Sequence, residues 1–406
     1  MKYLLTNAYS AKNRGDAGIV IAMINLLRER DPDADIYVMS SHSYENKEFY
    51  SHYNVKSVPA IWEVKSGQSL ISRYLNGINL FVKAHLKPND KSFKYYHKAD
   101  LVISVGGGYL YSSRRGPLGL GLLSSLYHIW LSCKFAKPVL AFPQSVGPLY
   151  SNIDKFVVKT VLKKVKKFFS REPYSTELLK DLGIENVSEV SDVGFTLAPK
   201  NINNNDKHFK SNHFPKIGIT VMDWRFSRPN STDEDVETYL NKLALAFKEI
   251  KKEYPKAHLY IYPQVTVGAG DTDLDASLRL QSKILNQNAT VVDLELLNPT
   301  PDELVAMYGD MDFFIGSRMH STIFAIAGGT PTIALSYQPK TMGTFKIMGL
   351  EEYALDIEKF KTSELVSIVK SSLVYSEFPI ERVQNKVNEN KVLLLGELDE
   401  YLTQKG

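Results

Sequence analysis

Phe313-Phe314-Ile315-Gly316-Ser317-Arg318-Met319-His320-Ser321-Thr322 opens with three apolar residues, passes through a glycine into a polar loop, and runs on into the apolar helical stretch Thr322–Ala327 before Gly328-Gly329. Three consecutive apolar residues that end at a glycine fit a strand buried on both faces, as in a parallel sheet. The loop after the glycine then lies at the carboxyl end of that strand, where parallel α/β sheets bind their ligands.

The same strand–loop–helix unit recurs on both sides. Apolar runs at Tyr3–Ala8, Ile36–Ser40, Leu101–Val105, Val139–Phe142 and Phe168–Arg171 read as strands, with helices at Ala17–Arg30 and Ile153–Lys167. After the polar stretch Asn201-Ile202-Asn203-Asn204-Asn205-Asp206-Lys207 the alternation restarts with strands at Ile217–Met222, Leu259–Tyr262, Val291–Leu294 and Thr332–Ser336. Helices fall at Asp233–Lys252, Asp273–Leu285, Pro301–Tyr308 and Val383–Leu402. The expected fold is α/β, with two Rossmann-like doubly wound domains facing a central cleft and a C-terminal helix crossing back onto the first. The expected boundaries are 1–200, a linker over 201–213, a second domain over 214–380 and a terminal helix over 381–406. Lys56–Lys98 fits the alternation poorly and reads as an insertion that shapes an acceptor site.

The chain has 406 residues, 44% of them hydrophobic, and a formal charge of +4. It can bury large cores, and so small a net charge gives no argument for nucleic acid. The single cysteine, Cys133, excludes an internal disulfide and a thiolate zinc cluster, and points to a reducing compartment. No secretory signal and no apolar run of membrane-spanning length is evident, so a cytoplasmic location is expected, with the inner face of the membrane as its variant. Lys155, Lys159, Lys163, Lys166 and Lys167 read as a solvated outer helix face, with membrane-surface contact as the second reading.

Four strand-end loops carry the candidate chemistry. In Asn13-Arg14-Gly15-Asp16-Ala17-Gly18 a glycine turn opens a helix, which either receives an anion or sugar hydroxyl on its backbone amides or is simply capped by Asp16. Gly106-Gly107-Gly108 either lets a ligand approach the backbone closely or is a turn without a ligand. In Pro143-Gln144-Ser145-Val146-Gly147-Pro148, Gln144 and Ser145 can bind hydroxyls, or the prolines merely stiffen the loop. Arg171 ends a strand and is either a phosphate- or carboxylate-binding fork or a surface ion pair. The strongest constellation is Ser317-Arg318-Met319-His320-Ser321: Arg318 suits an anion, His320 can carry a proton near neutral pH, and Ser321 or Thr322 can cap the helix. Lys340, after the strand Thr332–Ser336, is a further contact for an anion. The acidic run Gly270-Asp271-Thr272-Asp273-Leu274-Asp275 reads as a first-turn charge cluster rather than a metal site, and no metal is expected.

Together these motifs resemble the polysaccharide pyruvyl transferase family. The similarity rests on Asn13-Arg14-Gly15-Asp16, Gly106-Gly107-Gly108, Pro143–Pro148, Ser170-Arg171-Glu172, Asp192 with Phe195, Ser317-Arg318-Met319-His320-Ser321 and Thr330–Lys340. The resemblance implies a fold like that of the metal-independent glycosyltransferases with twin Rossmann-like halves (GT-B). It implies phosphoenolpyruvate as co-substrate, no cofactor, and a sugar of a cell-surface polysaccharide or its lipid-linked precursor as acceptor. The product would be a pyruvate ketal bridging two hydroxyls, with phosphate released. On this reading the second domain holds phosphoenolpyruvate and the first the acceptor. Arg171, Arg318 and His320 match the family's donor-binding and catalytic positions, and Asp16 is the candidate base, placed across the cleft from His320. The rival readings are a nucleotide-sugar glycosyltransferase of the same architecture and a non-catalytic carbohydrate-binding protein.

Overall fold

The computed structural model describes residues 1–62, 69–200, 213–225, 228, 230–268, 271–284 and 288–403. The expected linker lies almost wholly outside the described residues, as do Gly270 of the acidic run and Leu285. The chain divides into two compact units. Unit 1 comprises Met1–Ala11, Ile19–Val193 and the chain from Asn390 onward; unit 2 comprises Lys12–Gly18 and Gly194–Glu389. The short stretch Lys12–Gly18, inside the expected first domain, therefore clusters with unit 2.

The strands of unit 1 are β1 (Lys2–Ala8), β2 (Asp35–Ser40), β3 (Lys56–Pro59), β4 (Leu101–Ser104), β5 (Gly107–Leu110), β6 (Val139–Val146), β7 (Lys167–Ser170) and β8 (Val187–Glu189). They form one sheet in the order β3-β2-β1-β4-β6-β7-β8, with β5 beside β6, and its pairings are parallel. All four residues of β4 and all eight of β6 are buried, as expected for strands covered on both faces. The chain folds back between strands through helices α1 (Arg14–Arg30), α2 (Asn46–Ser51), α3 (Leu70–Leu86), α4 (Lys94–Lys98), α5 (Leu120–Lys134), α6 (Asn152–Leu162) and α7 (Pro173–Asp181).

Unit 2 is built from β9 (Lys216–Thr220), β10 (His258–Ile261), β13 (Ala289–Val291), β14 (Phe313–Gly316), β15 (Thr332–Ser336) and β16 (Ala354–Asp356), plus a small antiparallel ribbon of β11 (Thr266–Gly268) and β12 (Asp271–Thr272). Its main sheet runs β13-β10-β9-β14-β15-β16. Counted within the unit this is the order 3-2-1-4-5-6 of a dinucleotide-binding sheet, whose switch point lies between β9 and β14. Its helices are α8 (Asp233–Glu253), α9 (Leu274–Ser282), α10 (Leu294–Leu297), α11 (Pro301–Gly309), α12 (Met319–Ala327), α13 (Pro339–Ile347) and α14 (Thr362–Tyr375). The last helix, α15 (Ile380–Thr403), begins in unit 2 and from Asn390 clusters with unit 1. There Lys391 pairs with Glu29 at 2.6 Å and Glu397 with Lys167 at 3.2 Å.

Several expected elements change. The helix placed at Ile153–Lys167 ends at Leu162, and Lys167 belongs to β7, so the five lysines are not one helical stripe. The strand placed at Val291–Leu294 lies earlier, at Ala289–Val291, because Asp293 caps α10 by accepting from the amides of Glu295 and Leu296. The strands β3, β5, β8 and β16 escape a hydrophobicity reading because each is only three or four residues long and mixes glycine or charge with apolar residues. With β3 as a sheet edge, Lys56–Pro59 continues the alternation, and the departure from it begins only beyond Pro59.

Candidate active site

In unit 2 the strand β14 turns into α12 through Gly316. A Cβ there would lie 2.2 Å from Thr322 Cγ2, so only glycine permits this turn. The neighbouring strand pins the loop across the switch point. Ser317 N–H donates to the Thr220 carbonyl at 3.1 Å, and the Thr220 and Ser321 hydroxyls are 2.6 Å apart. The Tyr239 hydroxyl lies 2.6 Å from Ser317 Oγ. Burial pushes the Tyr239 phenol well above its usual range, so it stays neutral and able to donate.

Arg318 is held by a carboxylate that the sequence reading passed over. Its Nη2 donates to Asp273 Oδ1 at 2.6 Å and its Nε lies 3.1 Å from the same oxygen, while Asp273 itself is wholly buried. Asp273 also accepts from the Val265 amide at 3.0 Å. Its place at the start of α9 agrees with a first-turn acidic residue, but its side chain serves Arg318 rather than the helix end. Among the described residues no group of His, Cys, Asp or Glu is placed to hold a metal ion.

α12 begins at Met319, three residues before the expected start, so His320 sits in its first turn and the positive end of the helix lies beside Arg318. Neither Ser321 nor Thr322 caps the helix. Ser321 Oγ bonds back to the Arg318 carbonyl at 2.6 Å and Thr322 Oγ1 to the Met319 carbonyl at 2.6 Å; both residues are buried. Met319 is also buried, its sulfur accepting from Thr344 Oγ1 at 3.6 Å. Lys340 occupies the first turn of α13, after β15.

The first turn of α1 packs against His320. A Cβ on Gly15 would stand 2.6 Å from His320 Nδ1, and one on Gly18 would stand 2.2 Å from Phe324 Cζ, one helical turn further along α12. The two glycines let the turn approach the histidine face. Asn13 opens this helix; its Nδ2 donates to Asp16 Oδ2 at 2.7 Å, which orients the carboxylate. Asp16 thus belongs to the same unit as His320, which corrects its placement across the cleft. The turn is fastened by Arg14, another residue that sequence reasoning quoted without a role. Arg14 is buried and donates to the Leu294 carbonyl at 2.6 Å, Thr266 Oγ1 at 3.0 Å and the Gln264 carbonyl at 3.3 Å. Burial lowers the pKa of its guanidinium.

Unit 1 assembles the remaining candidates at the ends of β4, β6 and β7. Gly106 lies so close to Pro143 that a Cβ would approach its carbonyl oxygen to 2.6 Å, and Gly107 has a φ of +138° that favours glycine. Gly108 faces Arg171, whose Nη2 would be 3.1 Å from an added Cβ. Arg171 is 1% exposed; its Nε donates to Ser145 Oγ at 3.0 Å and its Nη1 to the fully buried Asp192. It is a buried pair, not the surface one that was its alternative. Gln144 is wholly buried beside this group, and its Oε1 has no hydrogen-bond partner among the described residues.

The site residues therefore fall into two sets. Asn13, Gly15, Asp16, Ser317, Arg318, His320 and Ser321 are gathered in unit 2, and Gly106, Gly107, Gly108, Gln144, Ser145 and Arg171 in unit 1. Asp273 was in view in the acidic run, but no local pattern reveals that its partner is 45 residues away.

Known proteins share the two-unit fold. The chain is 24% identical to the amylovoran biosynthesis protein AmsJ of Erwinia amylovora, over 97% of each chain. Its fold is similar to that of UDP-GlcNAc 2-epimerase from Neisseria meningitidis, with a TM-score of 0.60 at 13% identity over the whole of both chains. It is likewise similar to Anabaena Alr3699/HepE solved with UDP and glucose, with a TM-score of 0.57 at 12% identity over the whole of both chains. These likenesses place the chain in the two-domain Rossmann-like GT-B fold. The model of the polysaccharide pyruvyl transferases matches residues 13–339, from the turn that carries Asn13 to the start of α13, and the chain belongs to that family.

Proposed function

We propose that the protein transfers the pyruvyl group of phosphoenolpyruvate onto two hydroxyls of one sugar in a cell-surface polysaccharide or its lipid-linked precursor. The observation that carries this reading is the meeting of Arg318, the first turn of α12 and His320 within a few residues, with Asp16 in the helical turn packed on the histidine. Phosphoenolpyruvate brings a carboxylate and a phosphate. The guanidinium fork of Arg318 and the helix terminus offer two sites for such oxygens.

Ketal formation starts with a proton added to the methylene carbon, which becomes the methyl group of the product. His320 supplies that proton, and the central carbon gains cationic character stabilised by its bridging oxygen. One sugar hydroxyl attacks this carbon and loses its proton to Asp16. The carbon–oxygen bond to phosphate then breaks, phosphate leaves with the bonding pair, and the second hydroxyl closes the ring with loss of its own proton. Gln144 and Ser145, buried beside Arg171 in unit 1, are polar side chains suited to a sugar's hydroxyls.

The test incubates the protein with phosphoenolpyruvate and candidate glycans. The reading expects phosphate release together with a ketal methyl signal in the NMR spectrum, both abolished by His320→Ala in a folded variant. UDP release from a nucleotide sugar without either signal would overturn it, as would turnover by the His320→Ala variant at the unaltered rate.

A further inference from the structure

Helix α3 of unit 1 is apolar on the side that should be polar. Gly77, Leu80 and Ala84 form its buried ridge, where the missing Cβ of Gly77 admits the Trp62 ring. The opposite side carries Ile71 (74% exposed), Leu75, Ile78, Val82 and Leu86 (76% exposed), spaced by four, three, four and four residues. That spacing draws one continuous stripe along the helix. Aliphatic side chains contiguous over four turns are more than the scattered surface leucines that need no explanation.

Charge decides what covers this stripe. From Leu70 to Lys98 the chain has six basic residues, Arg73, Lys83, Lys87, Lys91, Lys94 and Lys98, against the one acidic residue Asp90. The segment's formal +5 exceeds the +4 of the whole chain, so the remainder is slightly acidic. Lys83 is paired with Asp90 at 2.9 Å, and Lys87, Lys91, Lys94 and Lys98 are exposed. A second copy packed on the stripe would bring two such basic segments together, whereas anionic lipid would neutralise them. No helix among the described residues is long and apolar enough to cross a membrane, so the stripe would lie in the interface rather than span it.

We infer that α3 and the basic segment after it form a docking surface for an anionic lipid bilayer, with the aliphatic stripe inserted among the acyl chains and the lysines at the headgroups. An apolar face and a polybasic patch together supply the two signals that stable peripheral binding needs. The inference stands on this face alone and is independent of the transfer chemistry. It also moves the membrane contact away from Lys155, Lys159, Lys163, Lys166 and Lys167, first considered for it.

Co-flotation of the full chain with vesicles tests it. Vesicles of equal parts phosphatidylcholine and phosphatidylglycerol should carry the protein upward, and pure phosphatidylcholine should carry markedly less. Ile78→Glu with Val82→Glu should abolish flotation, and Lys87→Glu with Lys91→Glu should reduce it severalfold, both with unchanged thermal melting. Absence of flotation by the unaltered protein would overturn the inference. So would flotation indifferent to both pairs of substitutions, or a concentration-dependent dimer that the first pair dissolves while vesicle binding persists.

Discussion

Asp273 Oδ1 lies 2.6 Å from Arg318 Nη2 and 3.1 Å from Arg318 Nε, so a single buried carboxylate fixes the plane of the guanidinium at the switch point of unit 2. The arginine is 17% exposed while the aspartate is not exposed at all. The pair therefore presents one aimed cation rather than a mobile one.

Asp273→Asn keeps the shape but removes the negative charge that pairs with Arg318, and its amide nitrogen replaces an oxygen that accepts either from Arg318 or from the Val265 amide. Loss of a hydrogen bond to a charged group costs about 2 kcal/mol. The expected outcome is a lowered melting temperature and a raised Michaelis constant for phosphoenolpyruvate. Arg318→Lys should weaken use of phosphoenolpyruvate further, because an ammonium cannot reproduce the fork. Steady-state phosphate release checks both; unchanged kinetics in Asp273→Asn would separate the pair from the chemistry.

Acid should destabilise unit 1 through His128. It is 3% exposed on α5, with Nδ1 2.7 Å from the Tyr96 hydroxyl, and burial pushes its pKa down to about 4. In the unfolded chain a histidine titrates near 6.5, so the unfolded state takes up the proton first as pH falls. The stabilisation is complete above about pH 6.5 and is lost as pH falls towards 4, by about 3 kcal/mol in all. His128→Phe should remove that share of the loss in urea titrations between pH 8 and 4. Part of the pH dependence should remain, because burial also lowers His258 to about 4. A slope unchanged by the substitution would contradict the assignment.

How much was legible in the sequence depends on the range of the interactions concerned. Leu101–Ser104 and Phe313–Gly316 announce themselves as buried strands because a parallel sheet covers both faces, and their glycine-rich ends mark the turns beyond. The pairing of Asp273 with Arg318, and of Arg14 with the carbonyls of Gln264 and Leu294, joins residues far apart in the chain. Composition and periodicity carry no trace of such pairs. The same limit hid the membership of Asp16, whose helical turn is drawn into unit 2 by the packing of Gly15 and Gly18 against α12. Helix α3 was obscured differently. Its wide apolar arc holds both the buried Leu80 and the exposed Ile78, and only burial separates the ridge of the one from the stripe of the other.

Arg171 and Asp192 should behave as a structural pair as well as a part of the site. Arg171→Met strands a carboxylate that is wholly buried, and breaking such a pair costs about 3 to 5 kcal/mol. Replacing both partners by apolar residues of similar volume removes the stranded charge. Arg171→Met with Asp192→Leu should therefore recover much of the lost stability in urea denaturation, though not activity. Additive losses in the double variant would show that the two side chains are not energetically coupled.

Gly15 supplies the sharpest separation of catalysis from stability. A methyl group there would stand 2.6 Å from His320 Nδ1 and 2.9 Å from its Cβ and Cγ, so Gly15→Ala must displace either the histidine ring or the first turn of α1. Overpacking of this kind costs about 1 to 3 kcal/mol, which a chain of this size tolerates. Displacing a proton-transfer group by about 1 Å can cost on the order of a hundredfold in rate. Gly15→Ala should therefore fold, melt only slightly earlier, and release phosphate roughly a hundredfold more slowly, with the Michaelis constant for phosphoenolpyruvate little changed because Arg318 is untouched. A rate equal to that of the unaltered protein would mean that the position of the His320 ring does not govern turnover.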